Sequence, residues 1–85
     1  MTDSLKSILN EREQQDKKWG EQNHDPLLFL NILMEEVGEC SQAALKARYE
    51  GGNELRIREE AVQVAAVALA IVECLDRKKW RWRTD

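Results

Sequence analysis

The sequence predicts an all-α fold, and the scarcity of breakers and of strand patterns is the reason. Only one proline and four glycines interrupt the 85 residues. Apolar residues recur at helical spacing, and the alternation of Val, Ile and Thr that is typical of strands is scarce. We therefore expect a single helical domain over residues 1–85, with three helices, of which the second and third form a long hairpin.

The first helix is expected to begin after Thr2, Asp3 or Ser4, since each of these residues is a good N-cap, and to end at Gly20. Its apolar spacing predicts an inward side made of Leu5, Ile8, Leu9 and Arg12. The outward side is expected to contain Glu11, Glu13, Gln14, Asp16 and Lys17. A polar loop over residues 20–26 follows.

The hairpin is expected to consist of a second helix over about residues 27–50 and a third over about residues 54–79. Asp25 and Pro26 suit the N-cap and first position of the second helix, Gly51 and Gly52 its end, and Asn53 the next N-cap. The seam of the second helix is predicted to contain Leu30, Leu33, Val37, Cys40 and Ala44.

The third helix contains an apolar run over residues 64–72 that has no polar side. Two further helices in so small a chain are not expected to cover it completely, and a chain of this length buries only roughly 60% of its unfolded surface. We therefore expect a homo-oligomer, assembled chiefly through helix 3, in which several chains complete a four-helix-bundle-type core.

Charge and cysteine usage restrict the classes of partner. The formal net charge of −3 gives no general reason to expect nucleic-acid binding. The Val62-to-Val72 stretch is too short to span a bilayer, and no signal-peptide core is apparent, so we expect a soluble cytoplasmic protein without a membrane partner. Cys40 and Cys74 form no CxxC pair and are interpreted as free thiols of a reducing compartment.

The tail over residues 77–85 differs from the rest of the chain in charge. Five of the 13 basic residues lie in it, interleaved with Trp80 and Trp82. Such a pattern can stack on nucleic acid. We favour the more common alternative, in which the tryptophans fold back onto the protein.

Two clusters of oxygen ligands lie within stretches that otherwise resemble buried helix faces. They consist of Glu35, Glu36 and Glu39 on helix 2 and of Glu59, Glu60 and Gln63 on helix 3. Residues three or four apart share a helix face, and buried carboxylates must be paired or bound to a cation. Oxygen ligands alone suit Mg²⁺ or Mn²⁺ rather than zinc. From spacing alone, a solvated face of ion pairs is an equal alternative.

Three segments carry a resemblance to a known family. They are WGEQNH at residues 19–24, ILMEEVGE at residues 32–39 and EEAVQVAAVA at residues 59–68. In order and helical context they resemble the MazG-like branch of the all-α nucleoside triphosphate pyrophosphohydrolases. The resemblance implies a dimer or dimer of dimers with active sites shared between chains. It also implies Mg²⁺-dependent hydrolysis of NTPs or dNTPs to the monophosphate and pyrophosphate.

The resemblance implies a metal site made of an ExxE on one helix and an ExxD on the next. Glu36 and Glu39 match the ExxE, and Glu60 matches the first position of the ExxD. Gln63 stands where the family has Asp. A Gln carbonyl can still bind Mg²⁺, but it brings no charge and a weaker bond.

The remaining site residues are expected to activate water or bind the nucleotide. Glu35 or Glu59 would supply the missing charge or activate the attacking water. Lys18, Trp19, Asn23 and His24 are the expected substrate-binding residues, through charge, stacking and hydrogen bonds. The expected function is nucleotide-pool house-cleaning. The alternative is a catalytically weak or inactive oligomeric nucleotide-binding module, because Gln63 replaces the acidic ligand.

Overall fold

The computed structural model describes residues 2–83, and in this part of the chain it contains three α-helices and no strand. The helices are α1 (Asp3–Trp19), α2 (Pro26–Tyr49) and α3 (Glu54–Arg77). The expected all-α fold is therefore confirmed. Helix α3 ends slightly earlier than expected, where Lys78 adopts a left-handed backbone conformation with φ of 58°.

Each helix begins at a side-chain cap. The Thr2 hydroxyl accepts a hydrogen bond from the Leu5 amide at 3.2 Å, and the Asp25 carboxylate accepts one from the Leu28 amide at 3.0 Å. The Asn53 side-chain oxygen accepts one from the Leu55 amide at 2.9 Å. These bonds satisfy amides that have no partner within the helix. All three caps were expected from the sequence.

Helix α3 is the central element, because α1 and α2 both pack against it and not against each other. Ala66, Val67 and Ala70 are buried, and in residues 64–72 only Val72 is exposed. The other residues of the run are half-buried, so one chain covers the run in part but not completely, as expected. The run has no polar side because α1 and α2 pack against α3 from different directions.

A cluster of buried apolar residues lies near the C-terminal end of α3. Phe29, Ala70 and Cys74 form it, with Ile71 and Trp80 packed against them. The ring of Trp82 meets that of Trp80 edge to face at 5.1 Å between centroids. The described part of the tail, residues 77–83, thus folds back through Trp80. Residues 84 and 85 of the predicted tail lie outside the described residues.

Helix α1 turns a polar side chain towards α3. Arg12 is buried, and its guanidinium donates hydrogen bonds to Glu73 at 2.7 Å and to Asp16 at 3.0 Å. Leu5 and Leu9, by contrast, are exposed. The predicted inward side of α1 is therefore correct for Arg12 and wrong for the two leucines. A buried guanidinium needs charged partners, and the contact with Glu73 ties α1 to α3 at this register.

Half of the large apolar side chains that are exposed in the described residues lie on α2. Five of these side chains recur every three or four residues along the helix, with one larger gap at Ser41. We call them the α2 stripe: Leu27, Leu30, Met34, Val37 and Leu45. Of the predicted seam, only Leu33 and Cys40 are half-buried, whereas Leu30, Val37 and Ala44 are exposed. In residues 2–83, no helix is long and apolar enough to cross a membrane.

Candidate metal centre

Three carboxylates from two helices converge at one place. Glu36 and Glu39 lie on α2 and Glu60 on α3, and one oxygen atom of each lies within 4.8 Å of the others. The spacing of three residues puts the first two on one face of α2, and the packing of α3 on α2 brings Glu60 opposite them. Glu60 is buried, Glu36 is half-buried and Glu39 is exposed. We call this group the carboxylate cluster.

The surroundings of Glu36 disfavour the charged form of its carboxylate. Burial is the main cause that raises the pKa of Glu36 above its ordinary value, and the neighbouring charge of Glu39 adds to it. Glu60, Glu35 and Glu11 raise the same pKa further. A half-buried carboxylate among like charges disfavours its ionised form unless a cation is nearby.

A cation of the chain itself lies against the cluster. The Arg56 guanidinium contacts the Glu60 carboxylate at 2.7 Å and the Glu59 carboxylate at 2.9 Å. The hydrogen bond to Glu59 and the charge of Glu60 raise the pKa of Arg56 above its ordinary value. The cluster therefore attracts positive charge, which is the property that a cation site requires.

The cluster forms one wall of an open cleft of about 490 Å³. Its other lining residues come from α1 and α3: Ser7, Glu11, Arg56, Arg58, Glu59, Val62 and Gln63. The Arg58 guanidinium donates a hydrogen bond to the Ser7 hydroxyl at 3.1 Å, which ties the α1 wall to α3. We call this space the carboxylate cleft.

Glu11, Ser7, Arg56 and Arg58 were not predicted as site residues, and Glu11 was expected to face solvent. It is half-buried and lines the carboxylate cleft, so that expectation is wrong. The error follows from the α1 register, because Arg12 and not the leucines faces α3. The spacing of four residues between Ser7 and Glu11 is the signal that could have indicated a common polar face.

A second cleft, of about 550 Å³, adjoins the first and shares Glu11 and Gln63 with it. It is also lined by Gln14, Gln15, Lys17, Lys18 and Trp19. The Lys18 ammonium lies 4.8 Å from the centre of the Trp19 ring, and the ring is largely exposed. Lys18 and Trp19 thus lie next to the carboxylate cleft, and Gln63 lies on the border between the two spaces.

Asn23 and His24 lie in a different setting and line neither cleft. The Asn23 side-chain oxygen accepts a hydrogen bond from the Arg77 guanidinium at 3.0 Å. The His24 carbonyl accepts a hydrogen bond from the Cys74 thiol at 3.6 Å. The His24 ring contacts the Phe29 ring edge to face, with 4.9 Å between the ring centroids. These contacts hold the α1–α2 loop against the end of α3.

The two residues expected to activate water are placed differently. Glu59 is exposed and lines the carboxylate cleft, where it pairs with Arg56. Glu35 is exposed and does not line that cleft, although its charge contributes to the raised pKa of Glu36. Glu59 is thus the better placed of the two.

Fold and site together define a class: an all-α protein with a carboxylate cluster between two packed helices. Comparison of the chain with protein-family models, curated proteins and solved structures gives no match. The chemical interpretation therefore depends on the residues themselves. The cluster contains three carboxylates and no His or Cys, and oxygen atoms within 4.8 Å of one another could hold a hard divalent cation.

Proposed function

We propose that the protein is a metal-dependent nucleoside triphosphate pyrophosphohydrolase, which converts an NTP or dNTP and water to the monophosphate and pyrophosphate. The observation that carries the proposal is the convergence of Glu36, Glu39 and Glu60 within 4.8 Å. These are the positions that match the metal motifs of the MazG-like family, which the sequence resembles. The proposed role is the removal of unwanted nucleotides from the cytoplasmic pool.

The proposed ligands of Mg²⁺, or of Mn²⁺, are Glu36, Glu39 and Glu60, with Gln63 contributing its carbonyl oxygen or holding a bound water. When bound, the cation neutralises the triphosphate and polarises the phosphoryl group under attack. The two helices hold the carboxylates at one wall of an open cleft that a substrate can enter.

The residues lining the cleft then serve hydrolysis at the α-phosphorus. The oxygen of a water molecule forms the new bond, the bond from phosphorus to the α–β bridging oxygen breaks, and pyrophosphate leaves with that electron pair. We assign Glu59 to accept the proton of the attacking water, because it lines the cleft and Glu35 does not. Glu59 would have to release Arg56 in order to do so.

The adjoining cleft is the proposed place of the nucleoside. Trp19 offers an exposed ring on which a base can stack, and Lys18 lies beside it with a positive charge for the phosphates. The two clefts share Glu11 and Gln63, so one ligand can extend across both. We assign Asn23 and His24 a supporting role, because their contacts hold the loop that follows Trp19.

The proposal is tested by product analysis over a panel of NTPs and dNTPs, with Mg²⁺, with Mn²⁺ and with a chelator. We expect pyrophosphate from at least one nucleotide and only when the metal is present. Orthophosphate as the sole product, or no turnover of any common nucleotide, would contradict the enzymatic proposal.

A second candidate function is a nucleotide-binding module with little or no turnover. The observation that favours it is Gln63, a neutral side chain on the border between the clefts at the position where the family has Asp. Nucleotide binding in calorimetry, together with the absence of any hydrolysis product, would support this candidate over the enzyme.

Replacing Gln63 by Asp is expected to tighten the binding of Mn²⁺ by about tenfold, because a carboxylate adds a negative charge next to the ion. Isothermal titration of the metal into both proteins measures the change. Gln14→Asp is the matched control, since Gln14 lines only the adjoining cleft. An affinity that is unchanged or lower in Gln63→Asp would mean that residue 63 does not contact the ion.

We also propose a homo-oligomer, a dimer or a dimer of dimers, and we place its interface at the α2 stripe. That surface is exposed and apolar, whereas the apolar run of α3 is largely covered within the chain. The carboxylate cluster is formed by two helices of one chain. In this proposal the oligomer therefore stabilises the fold and is not needed to gather the metal ligands.

A further inference from the structure

Arg56 lies where a divalent cation would compete with it. Its guanidinium contacts a carboxylate oxygen of Glu60, and Glu60 is one of the three members of the carboxylate cluster. Arg56 also lines a smaller space of about 280 Å³, together with Glu39 and Lys46. Arg56 thus lines two spaces, and its guanidinium contacts one of the proposed ligands.

The two partners of this ion pair differ in their access to solvent. The side chain of Glu60 is 8% exposed and that of Arg56 is 63% exposed. A carboxylate that has lost its water needs a cation or a donor close by, whereas an exposed guanidinium can return to water at little cost. Glu60 is therefore the fixed partner of the pair, and Arg56 is the exchangeable one.

We propose that Arg56 is a built-in counter-ion, which balances the charge of Glu60 in the ion-free protein and leaves the carboxylate cluster when a divalent cation binds. The inference rests on the proposed metal centre. A guanidinium and a divalent ion that are both close to Glu60 repel each other, and they compete for the same carboxylate group. Arg56 thereby sets the metal concentration at which the site fills.

The test is the calorimetric titration of Mn²⁺ into the wild type, into Arg56→Gln and into Arg48→Gln, with melting curves of each ion-free protein. Arg48 is an exposed arginine of α2 that stacks on Tyr49 and does not line the carboxylate cleft, so it controls for the loss of one charge. We expect Arg56→Gln to bind Mn²⁺ about fivefold more tightly, which corresponds to the loss of a partly exposed ion pair. Arg48→Gln should match the wild type.

The ion-free proteins give a readout that does not depend on the metal. Arg56→Gln is expected to melt at a lower temperature than the wild type, because Glu60 loses its counter-ion. Adding Glu60→Gln to this variant should restore the melting temperature, since the buried charge is then gone as well. A further loss of stability in the double variant would overturn the counter-ion role.

The outcomes separate this inference from the proposed function. If the wild type binds Mn²⁺ and Arg56→Gln binds it equally or more weakly, Arg56 is not a competitor and the inference fails, while the metal centre stands. If none of the proteins binds Mn²⁺ at millimolar concentration, the metal centre fails and the displacement inference fails with it.

Discussion

Replacing Glu36 by Gln is expected to abolish pyrophosphate release and to leave the fold intact or more stable. Glu36 is the half-buried member of the carboxylate cluster, and its neighbours Glu39 and Glu60 are both acidic. The substitution keeps the shape and removes a ligand charge, so activity should fall at least about a hundredfold. Initial rates with saturating Mg²⁺ and melting curves of the ion-free protein measure the two effects.

The stability effect has a defined dependence on pH. Burial and neighbouring carboxylates raise the pKa of Glu36 in the folded protein above the ordinary value of 4.5. The folded state therefore binds this proton more tightly than the unfolded state, and the ion-free wild type loses stability as pH rises from about 4.5. Glu36→Gln should lack this contribution, so its relative gain should appear above that pH and disappear below it.

Glu50→Gln is the matched control for this prediction, because Glu50 is an exposed carboxylate at the C-cap of α2 and lines none of the clefts described above. It should retain wild-type activity and wild-type melting behaviour. The prediction would be contradicted if Glu36→Gln unfolded the protein and Mg²⁺ failed to raise the melting temperature of the wild type. The carboxylates would then belong to a structural network of ion pairs.

The helices and their ends could be predicted because the determinants are local. Thr2, Asp25 and Asn53 are caps whose partners lie two or three residues further along the chain. The convergence of Glu36, Glu39 and Glu60 could also be predicted from the sequence, since helical spacing and a short hairpin connection bring these positions together. Arg56 lies four residues before Glu60, and the same spacing rule could have identified it.

The position of α1 could not be predicted in this way. The apolar pattern favours an inward side with Leu5 and Leu9, but Arg12 is buried and bonded to Glu73, which is 61 residues away in the chain. No local signal indicates that partner. Because the contribution of Ser7 and Glu11 to the carboxylate cleft depends on the same register, that wall of the site was missed as well.

Replacing Met34 by Glu is expected to dissociate the proposed homo-oligomer. Met34 lies near the middle of the α2 stripe and is 62% exposed in the single chain. At about 25 cal/mol per Å², covering a few hundred Å² of such surface contributes several kcal/mol, which is comparable with the stability of a small domain. A carboxylate buried there without a partner should weaken association at least about a hundredfold. Sedimentation at micromolar concentration measures the change.

Leu5→Glu is the matched control, because Leu5 is an exposed leucine of α1 and lies outside the α2 stripe. It should leave the oligomer unchanged.

The Met34→Glu chains should still bind Mn²⁺ with wild-type affinity wherever they remain folded. The reason is that Glu36, Glu39 and Glu60 belong to one chain, and that Met34 lies on a different side of α2 from Glu39. A wild type that sediments as a stable folded monomer would contradict the oligomer. Dissociation by Leu5→Glu and not by Met34→Glu would place the interface on α1, and loss of Mn²⁺ binding in folded Met34→Glu chains would mean that the metal site depends on a second chain.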